Sequence, residues 1–143
     1  MNEVLYAAKS HWGYSEKFMQ AFMDHFSLDA SYIEKNIVKT ANFGGAIIGF
    51  FSFCVGEGGN AKPHTWELDY FFIDPAYIKK GFGRQMWEHC CETAREHGVF
   101  ECILWSDPNA EQFYKKMGCT KIGERPSPLM ADRKCPILKY VIT

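Results

Sequence analysis

The chain has 143 residues, 47% hydrophobic and 23% charged, with sixteen basic side chains against seventeen acidic ones. This size and balance predict one folded domain over residues 1–143 and exclude a highly charged, disordered chain. The net charge of −1 without a block of like charge, and the lack of an apolar run of roughly 18 residues, argue against nucleic-acid and membrane partners. Since no secretory signal pattern opens the chain, we expect a cytoplasmic protein.

The first third of the sequence is typical of short helices. An opening helix ends at Gly13, and Ser15 is suited to cap a second one. A third helical segment follows, capped by Asp29 or Ser31 and running to Ile33. On the second helix, three aromatic side chains fall four residues apart and would pack inward or line a cleft. They are Phe18, Phe22 and Phe26.

The middle of the sequence predicts strands. A hairpin joins a strand at residues 37–41 to a longer one at 46–55, and the glycine-rich residues 56–60 follow as a flexible loop. A third strand covers residues 65–74 and ends at Pro75, which lacks an N–H donor. Strict alternation would put its odd and even residues on opposite faces. One face would carry Glu67, Asp69, Phe71 and Ile73, and the other Leu68, Tyr70 and Phe72.

The last part alternates helices with strands. The longest helix begins after Gly81 and stops at Gly98, and a short buried strand follows at residues 100–105. The pair Asp107-Pro108 then opens a further helix, which ends at Gly118. Two closing strands are predicted, separated by a proline-containing loop that includes Pro126, Pro128 and Pro136. They cover residues 120–122 and 137–142.

The turn before the longest helix has the properties of an anion site. Its sequence is Lys79-Lys80-Gly81-Phe82-Gly83-Arg84. Glycines let a ligand approach the backbone, the first helical turn leaves N–H donors unpaired, and the helix dipole adds partial positive charge. A pyrophosphate would be held chiefly by backbone N–H groups. The turn is no dinucleotide fingerprint, because Met86 occupies the place of the third glycine, and alone it predicts only an anion.

The cysteines and histidines do not indicate a metal site or a thiol nucleophile. Six cysteines include no Cys-x-x-Cys pair, and neither they nor the five histidines show a metal-ligand spacing. We therefore expect buried, reduced thiols and no metal. The Cys90-Cys91 pair is better explained by helix packing than as an acyl-carrying nucleophile, and His64 is expected in an exposed loop.

Two motifs in order give the sequence a family resemblance. Residues 67–75 (ELDYFFIDP) lead into Gly81-Phe82-Gly83, and residues 109–118 (NAEQFYKKMG) follow downstream. With both motifs, the chain from Ile37 onward resembles the GCN5-related N-acetyltransferase (GNAT) superfamily. The resemblance implies an α/β (α+β) fold, with a mixed, mostly antiparallel central sheet, a splayed strand pair and flanking helices. The first strand of that fold is missing or very short, because the chain begins almost at the opening helix.

The resemblance also implies an acetyl-coenzyme A (acetyl-CoA) site. The pantetheine arm would lie between the strand that ends at Ile73 and the strand at residues 100–105, near edge donors of Phe72 and Ile73. Further contacts are implied from the turn and from the last helix. They are Lys79, Lys80, Gly81, Phe82, Gly83, Arg84, Asn109, Phe113 and Tyr114. Two positions depart from the superfamily pattern, since Ile78 replaces its usual Arg or Gln and Lys79 its usual Gly.

The implied reaction is direct acetyl transfer to a primary amine within a ternary complex. Tyr114 is the candidate general acid that protonates the leaving thiolate, and a phenol with a pKa near 10 stays protonated at neutral pH. Glu67 is the candidate base for the amine, with Asp69 in reserve. The alternatives without a catalytic role are that Tyr114 only packs beside Phe113 and that Glu67 is a carboxylate on the sheet surface.

Three functional classes follow from these patterns. They are the acetyltransferase, a non-catalytic sensor of acetyl-CoA or CoA with the same fold, and an unrelated anion-binding domain. The acceptor pocket would be formed by residues 12–26 and 56–64, which indicate aromatic walls but leave a small-molecule or peptide amine equally open. Small members of the superfamily are often dimers, so the resemblance allows a homodimer.

Overall fold

The computed structural model describes residues 1–55, 64–130 and 132–142. Within these residues, six strands form one sheet in the order β1-β2-β3-β4-β6-β5. The strands are β1 (Ile37–Phe43), β2 (Ala46–Cys54), β3 (Thr65–Ile73), β4 (Glu101–Trp105), β5 (Thr120–Pro126) and β6 (Lys134–Val141). The helices are α1 (Asn2–Ser10), α2 (Glu16–Phe26), α3 (Ala30–Lys35), α4 (Phe82–Glu96) and α5 (Glu111–Lys116). Two short 3-10 helices, Pro75–Tyr77 and Pro108–Ala110, precede α4 and α5.

The predicted mixed, mostly antiparallel sheet is confirmed. The β3–β4 pair is parallel, and the other four neighbouring pairs are antiparallel. In the described part of the chain no strand precedes α1, so the sheet starts with β1 after three helices. The predicted caps are also present, because Ser15 accepts the N–H of Phe18 at 3.1 Å and Asp29 that of Tyr32 at 2.8 Å.

Helices cover both faces of the sheet with two separate apolar clusters. The cluster under α1 and α2 contains Val4, Leu5, Phe18, Met19, Phe22, Leu28, Phe50 and Tyr70. The cluster under α4 and α5 includes Phe51, Phe53, Leu68, Met86, Trp87, Cys90, Leu104, Tyr114 and Leu138. All six cysteines are free, as expected, and Cys90 and Cys91 are both buried.

A β-bulge in β3 corrects the predicted alternation of side chains. Tyr70 lies opposite Ser52 of β2, and Leu68 lies opposite the next residue, Phe53, which leaves Asp69 as an extra residue on β3. Leu68 therefore packs in the α4 cluster, while Tyr70 packs under α1 and α2. The prediction that Leu68 and Tyr70 share a face is wrong, because it assumed an uninterrupted period of two.

The proline-containing loop is shorter than predicted. Pro136 lies within β6, where its carbonyl oxygen accepts the N–H of Ser106 at 2.9 Å, and Pro126 ends the edge strand β5. An edge strand tolerates proline because one side of it needs no N–H donor. The predicted loop at residues 56–60 lies outside the described residues.

The parallel pair β3–β4 opens into a V. Its ladder runs from Thr65 opposite Glu101 to Leu68 opposite Leu104 and ends there. Strand β3 continues to Ile73, held on its other side by β2. The splayed strand pair expected from the resemblance is thus present, and α5 packs beside the opening through Phe71–Phe113 and Phe71–Tyr114 ring contacts.

Candidate active site

A cavity of about 480 Å³ occupies the opening between β3 and β4. Helices α1 and α2 line one side of it, and other sides are lined by α5 and by Arg125, Ser127, Pro128, Leu129, Arg133 and Cys135. Nine residues of predicted or reserve function contribute to its wall, namely Glu67, Asp69, Phe72, Ile73, Lys79, Gly83, Asn109, Phe113 and Tyr114. The other predicted cofactor contacts belong to the turn at its rim, namely Lys80, Gly81, Phe82 and Arg84. The fold thus gathers the predicted residues into one region.

The turn before α4 has two residues in the left-handed region. Gly81 is the N-cap of α4 with φ +84°, and Lys79 has φ +60°. Glycine adopts this region easily, whereas a lysine side chain makes it less favourable. The departure seen at Lys79 therefore keeps the backbone shape that glycine would supply and adds a cation. No side chain caps α4, so the first N–H groups of the helix are available to an anion.

Gly83 is required by a close approach of α4 to α5. A Cβ atom at this position would lie 3.1 Å from Cε2 of Phe113 and 3.5 Å from Cδ1 of Ile73. Both distances join residues predicted to contact the cofactor. Because no side chain separates them, the start of α4 and the wall of the cavity form one continuous surface.

Tyr114 lies on the cavity wall with most of its ring in the core. The residue is 7% exposed, and its ring contacts those of Phe71, Trp87 and Phe113. Burial raises the pKa of its hydroxyl, since the phenolate would lose its solvation. The group therefore remains a proton donor across the physiological pH range.

The two carboxylates on β3 have different surroundings. Asp69, the bulge residue, accepts a hydrogen bond of 2.6 Å from the Tyr32 hydroxyl, which is also 2.8 Å from the Ser52 hydroxyl. Desolvation raises the pKa of Asp69, and the Tyr32 hydrogen bond opposes that rise. Glu67 faces the cavity and interacts electrostatically with Arg125. Asp69 is thus hydrogen-bonded to a residue of α3, while Glu67 interacts electrostatically with a residue of β5.

A polar cluster that sequence reasoning missed lies on the α1 side of the cavity. We call it the Asp107 cluster, and it consists of Lys9, Tyr14, Asp107, Asn109 and Arg133. Asp107 accepts hydrogen bonds from Lys9 Nζ at 2.6 Å and from the Tyr14 hydroxyl at 2.9 Å, and it forms an ion pair with Arg133 Nη2 at 2.9 Å. Its other oxygen accepts the Asn109 N–H at 2.8 Å and Nδ2 at 3.0 Å. The hydroxyl of Tyr14 in turn accepts hydrogen bonds from Arg133 and Asn109.

The protonation of the Asp107 cluster follows from its burial. Burial opposes the ionisation of Asp107, but Lys9, the Asn109 N–H and Arg133 hold the pKa of its carboxyl below the ordinary value. Burial lowers the pKa of Lys9, and Asp107 opposes that shift. Burial first and then Asp107 raise the pKa of Tyr14 to about 12, so its hydroxyl is neutral at pH 7.

One signal in the sequence pointed to this cluster. Lys9 follows Leu5 by four residues, on the apolar face of α1, and a lysine there needs a buried partner. Its Nζ lies 4.9 Å from the ring centroid of Phe22 and 5.4 Å from that of Tyr14. The role of Asp107 was hidden, because its position before Pro108 is explained by capping alone.

Of the residues set aside in the sequence, Cys90, Cys91 and His64 do not line the cavity, whereas His11 and Cys135 do. The imidazole of His64 is exposed, hydrogen-bonds the Gly98 carbonyl at 2.9 Å and stacks on Phe100. In the described residues no three His, Cys, Asp or Glu side chains are grouped to hold a metal ion. Within the same residues, every helix is too short or too polar to cross a bilayer.

Comparisons with known proteins agree with the geometry. A family model described as "Acetyltransferase (GNAT) family" matches residues 3–119. A 5-NmdU N-acetyltransferase of Pseudomonas phage PaMx11 is 31% identical over 124 residues, which cover 85% of this chain and 81% of the relative. An uncharacterized N-acetyltransferase of Lactobacillus delbrueckii subsp. lactis is 26% identical over 66% of this chain, and the match spans 57% of that relative's length.

The fold is also found in solved structures. The PaiA N-acetyltransferase of Thermoplasma acidophilum, crystallised with coenzyme A, superimposes with a TM-score of 0.73. The match covers 98% of this chain and 89% of that structure at 18% sequence identity. This likeness concerns the fold alone.

Proposed function

The chain belongs to the acetyltransferase (GNAT) family, and on this premise we propose that it transfers the acetyl group of acetyl-CoA to a primary amine. One observation carries the proposal. The β3–β4 ladder ends at Leu68, and the cavity in the resulting opening is lined by Gly83 in the first turn of the uncapped α4 and by Tyr114. An anion-binding turn and a proton donor thus border one cavity.

The residues around the opening fit coenzyme A. Backbone N–H groups at the start of α4, with Lys79, Lys80 and Arg84, suit a pyrophosphate. Beyond Leu68, the edge of β3 that faces away from β2 has no ladder to β4, so amides near Phe72 and Ile73 can pair with the pantetheine arm. Asn109 and Phe113 border the same cavity. Solved structures of the same fold that hold coenzyme A support a CoA site in this chain.

The proposed chemistry is direct attack of the amine on the thioester of acetyl-CoA. Glu67 removes a proton from the ammonium form of the amine, directly or through water, so that the nitrogen lone pair becomes available. Backbone N–H groups near Ile73 polarise the carbonyl oxygen. Tyr114 donates its proton to the departing thiolate and regains one from the nitrogen, which loses its second proton as the neutral amide forms; the raised pKa keeps Tyr114 protonated before transfer. Holding both substrates in one cavity supplies the orientation.

The amine has aromatic surroundings. Trp12, Phe18, Phe22 and Phe26 line the cavity on the side of α1 and α2. The phage relative is named for 5-NmdU. We propose that this chain acts on a small-molecule or peptide amine that can lie against flat side chains.

Two measurements test the proposal. Titration calorimetry with acetyl-CoA measures binding, and thiol release in the presence of a panel of primary amines measures transfer. Binding followed by amine-dependent thiol release is the expected result. Binding without thiol release for every amine would favour the sensor, and no binding at all would contradict the CoA site.

A further inference from the structure

The Asp107 cluster holds two cations and one carboxylate in a nearly closed space. The side chains of Lys9, Asp107 and Arg133 are 9%, 8% and 14% exposed. Tyr14 is neutral, and Asn109 carries no charge. The remaining charged residues on the described cavity wall are two carboxylates and two cations, so they add no net charge. They are Glu67, Asp69, Lys79 and Arg125. The cavity therefore keeps one excess positive charge, located where water has little access.

An unbalanced buried charge is unfavourable unless a partner arrives to balance it. Asp107 already shares its oxygens among both cations, Tyr14 and Asn109. It therefore cannot neutralise two cations at once. A ligand with an anionic group would complete the balance.

Arg133 is held ready for such a ligand. Its guanidinium lies over the rings of Tyr14 and Phe18, with 4.7 Å and 5.4 Å to the ring centroids. Its contacts with Asp107 and Tyr14 both use Nη2. A guanidinium has five N–H donors in a planar fork, which suits two oxygens of a carboxylate or phosphate. The stacking fixes the plane of this fork before a ligand binds.

From this arrangement we propose that Arg133 and Lys9 bind an anionic group, a carboxylate or a phosphate, carried by the acceptor amine. The inference rests on the proposed function, because it assigns a substrate class to the same cavity. The amine would point toward Glu67 while the anionic group pairs with Arg133. The aromatic side chains of α2 would lie along the body of the acceptor between these two ends.

Matched acceptors test the inference on the unmodified protein. One pair is 4-(2-aminoethyl)benzoate with 4-(2-aminoethyl)benzamide, and the other is tyramine phosphate with tyramine. In each pair the anionic group is remote from the amine, so the reactivity of the amine changes little. We expect kcat/KM for an anionic member to exceed that of its neutral partner roughly 10- to 100-fold, as for charged hydrogen bonds. The pair with the larger ratio distinguishes carboxylate from phosphate.

Variants test whether Arg133 is the source of the preference for anionic acceptors. Arg133→Gln should reduce the anionic-to-neutral ratio toward one, and Arg133→Lys should restore part of it, since the charge returns without the fork. Lys17→Gln removes an exposed cation from α2 and should leave the ratio unchanged. A purely structural role of Arg133 would lower thermal stability and slow all acceptors equally, which would overturn the inference.

Binding separates failure of the inference from failure of the proposed function. Calorimetry with 4-(2-aminoethyl)benzoate and tyramine phosphate on the CoA-saturated protein reports the subsite even when no transfer occurs. Equal affinity and equal kcat/KM for anionic and neutral members would overturn the inference while acetyl transfer stands. Absence of thiol release with every amine would instead contradict the proposed function, and preferential binding of the anion would still support the subsite.

Discussion

The cavity has two halves that use different chemical groups, a cofactor half near α4 and an acceptor half near α1. The half near α4 relies on backbone groups and glycines in contiguous stretches, from β3 through the turn at Gly81. The half near α1 relies on charged side chains from distant segments, because Lys9 and Asp107 are 98 positions apart, and Tyr14 and Arg133 are 119 apart. A backbone site suits a ligand shared by a whole family, whereas a side-chain site can change with the acceptor.

The largest effect is expected at Tyr114, where the two halves meet. Tyr114→Phe removes the proton donor and keeps the ring, so kcat should fall roughly 100- to 10,000-fold. The affinity for acetyl-CoA should not change, since the cavity keeps its shape. Stopped-flow thiol release and calorimetry measure the two quantities. Unchanged kcat with intact CoA affinity would remove Tyr114 from the chemistry.

Removing the negative charge of Asp107 tests whether the acceptor half depends on charge for its folding. Asp107→Asn leaves Lys9 and Arg133 without their carboxylate and should lower the free energy of unfolding by roughly 3–5 kcal/mol. Denaturant unfolding measures the loss. Glu111→Gln is the control, because its ion pairs with Lys115 and Lys121 are at the surface and should matter little.

The same variant has a pH signature. Because Lys9 and Arg133 depress the pKa of Asp107 against the effect of burial, its stabilising contribution is present above the unfolded pKa of about 3.9. It is lost as the pH falls through the lower pKa of the folded state. The gap in stability between wild type and Asp107→Asn should therefore narrow below about pH 4. A gap that stays constant to pH 2 would contradict the ion-pair explanation.

Glu67→Gln tests whether Glu67 governs the rate of acetyl transfer and not the affinity for acetyl-CoA. Loss of the base should lower kcat about 100-fold, the smaller end of the range for proton transfer, because water can still accept the proton. The loss should shrink at high pH, where the amine is already deprotonated. Rates across pH 6 to 9 measure this, and Asp69→Asn serves as the comparison. A pH profile identical to that of wild type would exclude Glu67 as the base.

Gly83→Ala probes the cofactor half alone. The added methyl group would lie 3.1 Å from Phe113 and displace that ring, so we expect the Kd for acetyl-CoA to rise about tenfold, as for modest overpacking. Gly123→Ala in β5 is the control, since its new methyl would meet Ile137 at an ordinary 3.8 Å. Equal Kd values for the two variants would show that the contact with Phe113 is unimportant for the ligand.

The smallest effect is expected at Lys79. Lys79→Gly relieves a left-handed lysine and should raise the free energy of unfolding by up to roughly 1 kcal/mol. It also removes a cation from the turn, so acetyl-CoA should bind slightly more weakly. Lys79→Asn also loses the charge and tolerates the same φ. Weaker binding by both variants, with stabilisation by Gly, is the expected pattern; a loss of stability with Gly would refute the backbone argument.

The sequence was sufficient for features encoded by neighbouring residues. Caps at Ser15 and Asp29, the glycine turn and the splayed sheet all follow from short motifs or from the family resemblance. Of the Asp107 cluster, the sequence signalled only Lys9 on the apolar face of α1, because the other members have ordinary local explanations and their partners lie on other elements. The bulge at Asp69 was also missed, since no glycine or proline marks it and its cause lies in pairing with β2.

That bulge decides which face of the sheet each later side chain of β3 joins. Because Asp69 shifts the alternation, the side chains of Tyr70 and Phe72 belong to the layer under α1 and α2, while those of Phe71 and Ile73 belong to the layer under α4. Neighbouring positions of β3 therefore pack in different apolar clusters, although all four line the same cavity. Under the proposed function, substitutions at Tyr70 and Phe72 would reshape the acceptor side, while the backbone edge of β3 would remain in place for coenzyme A.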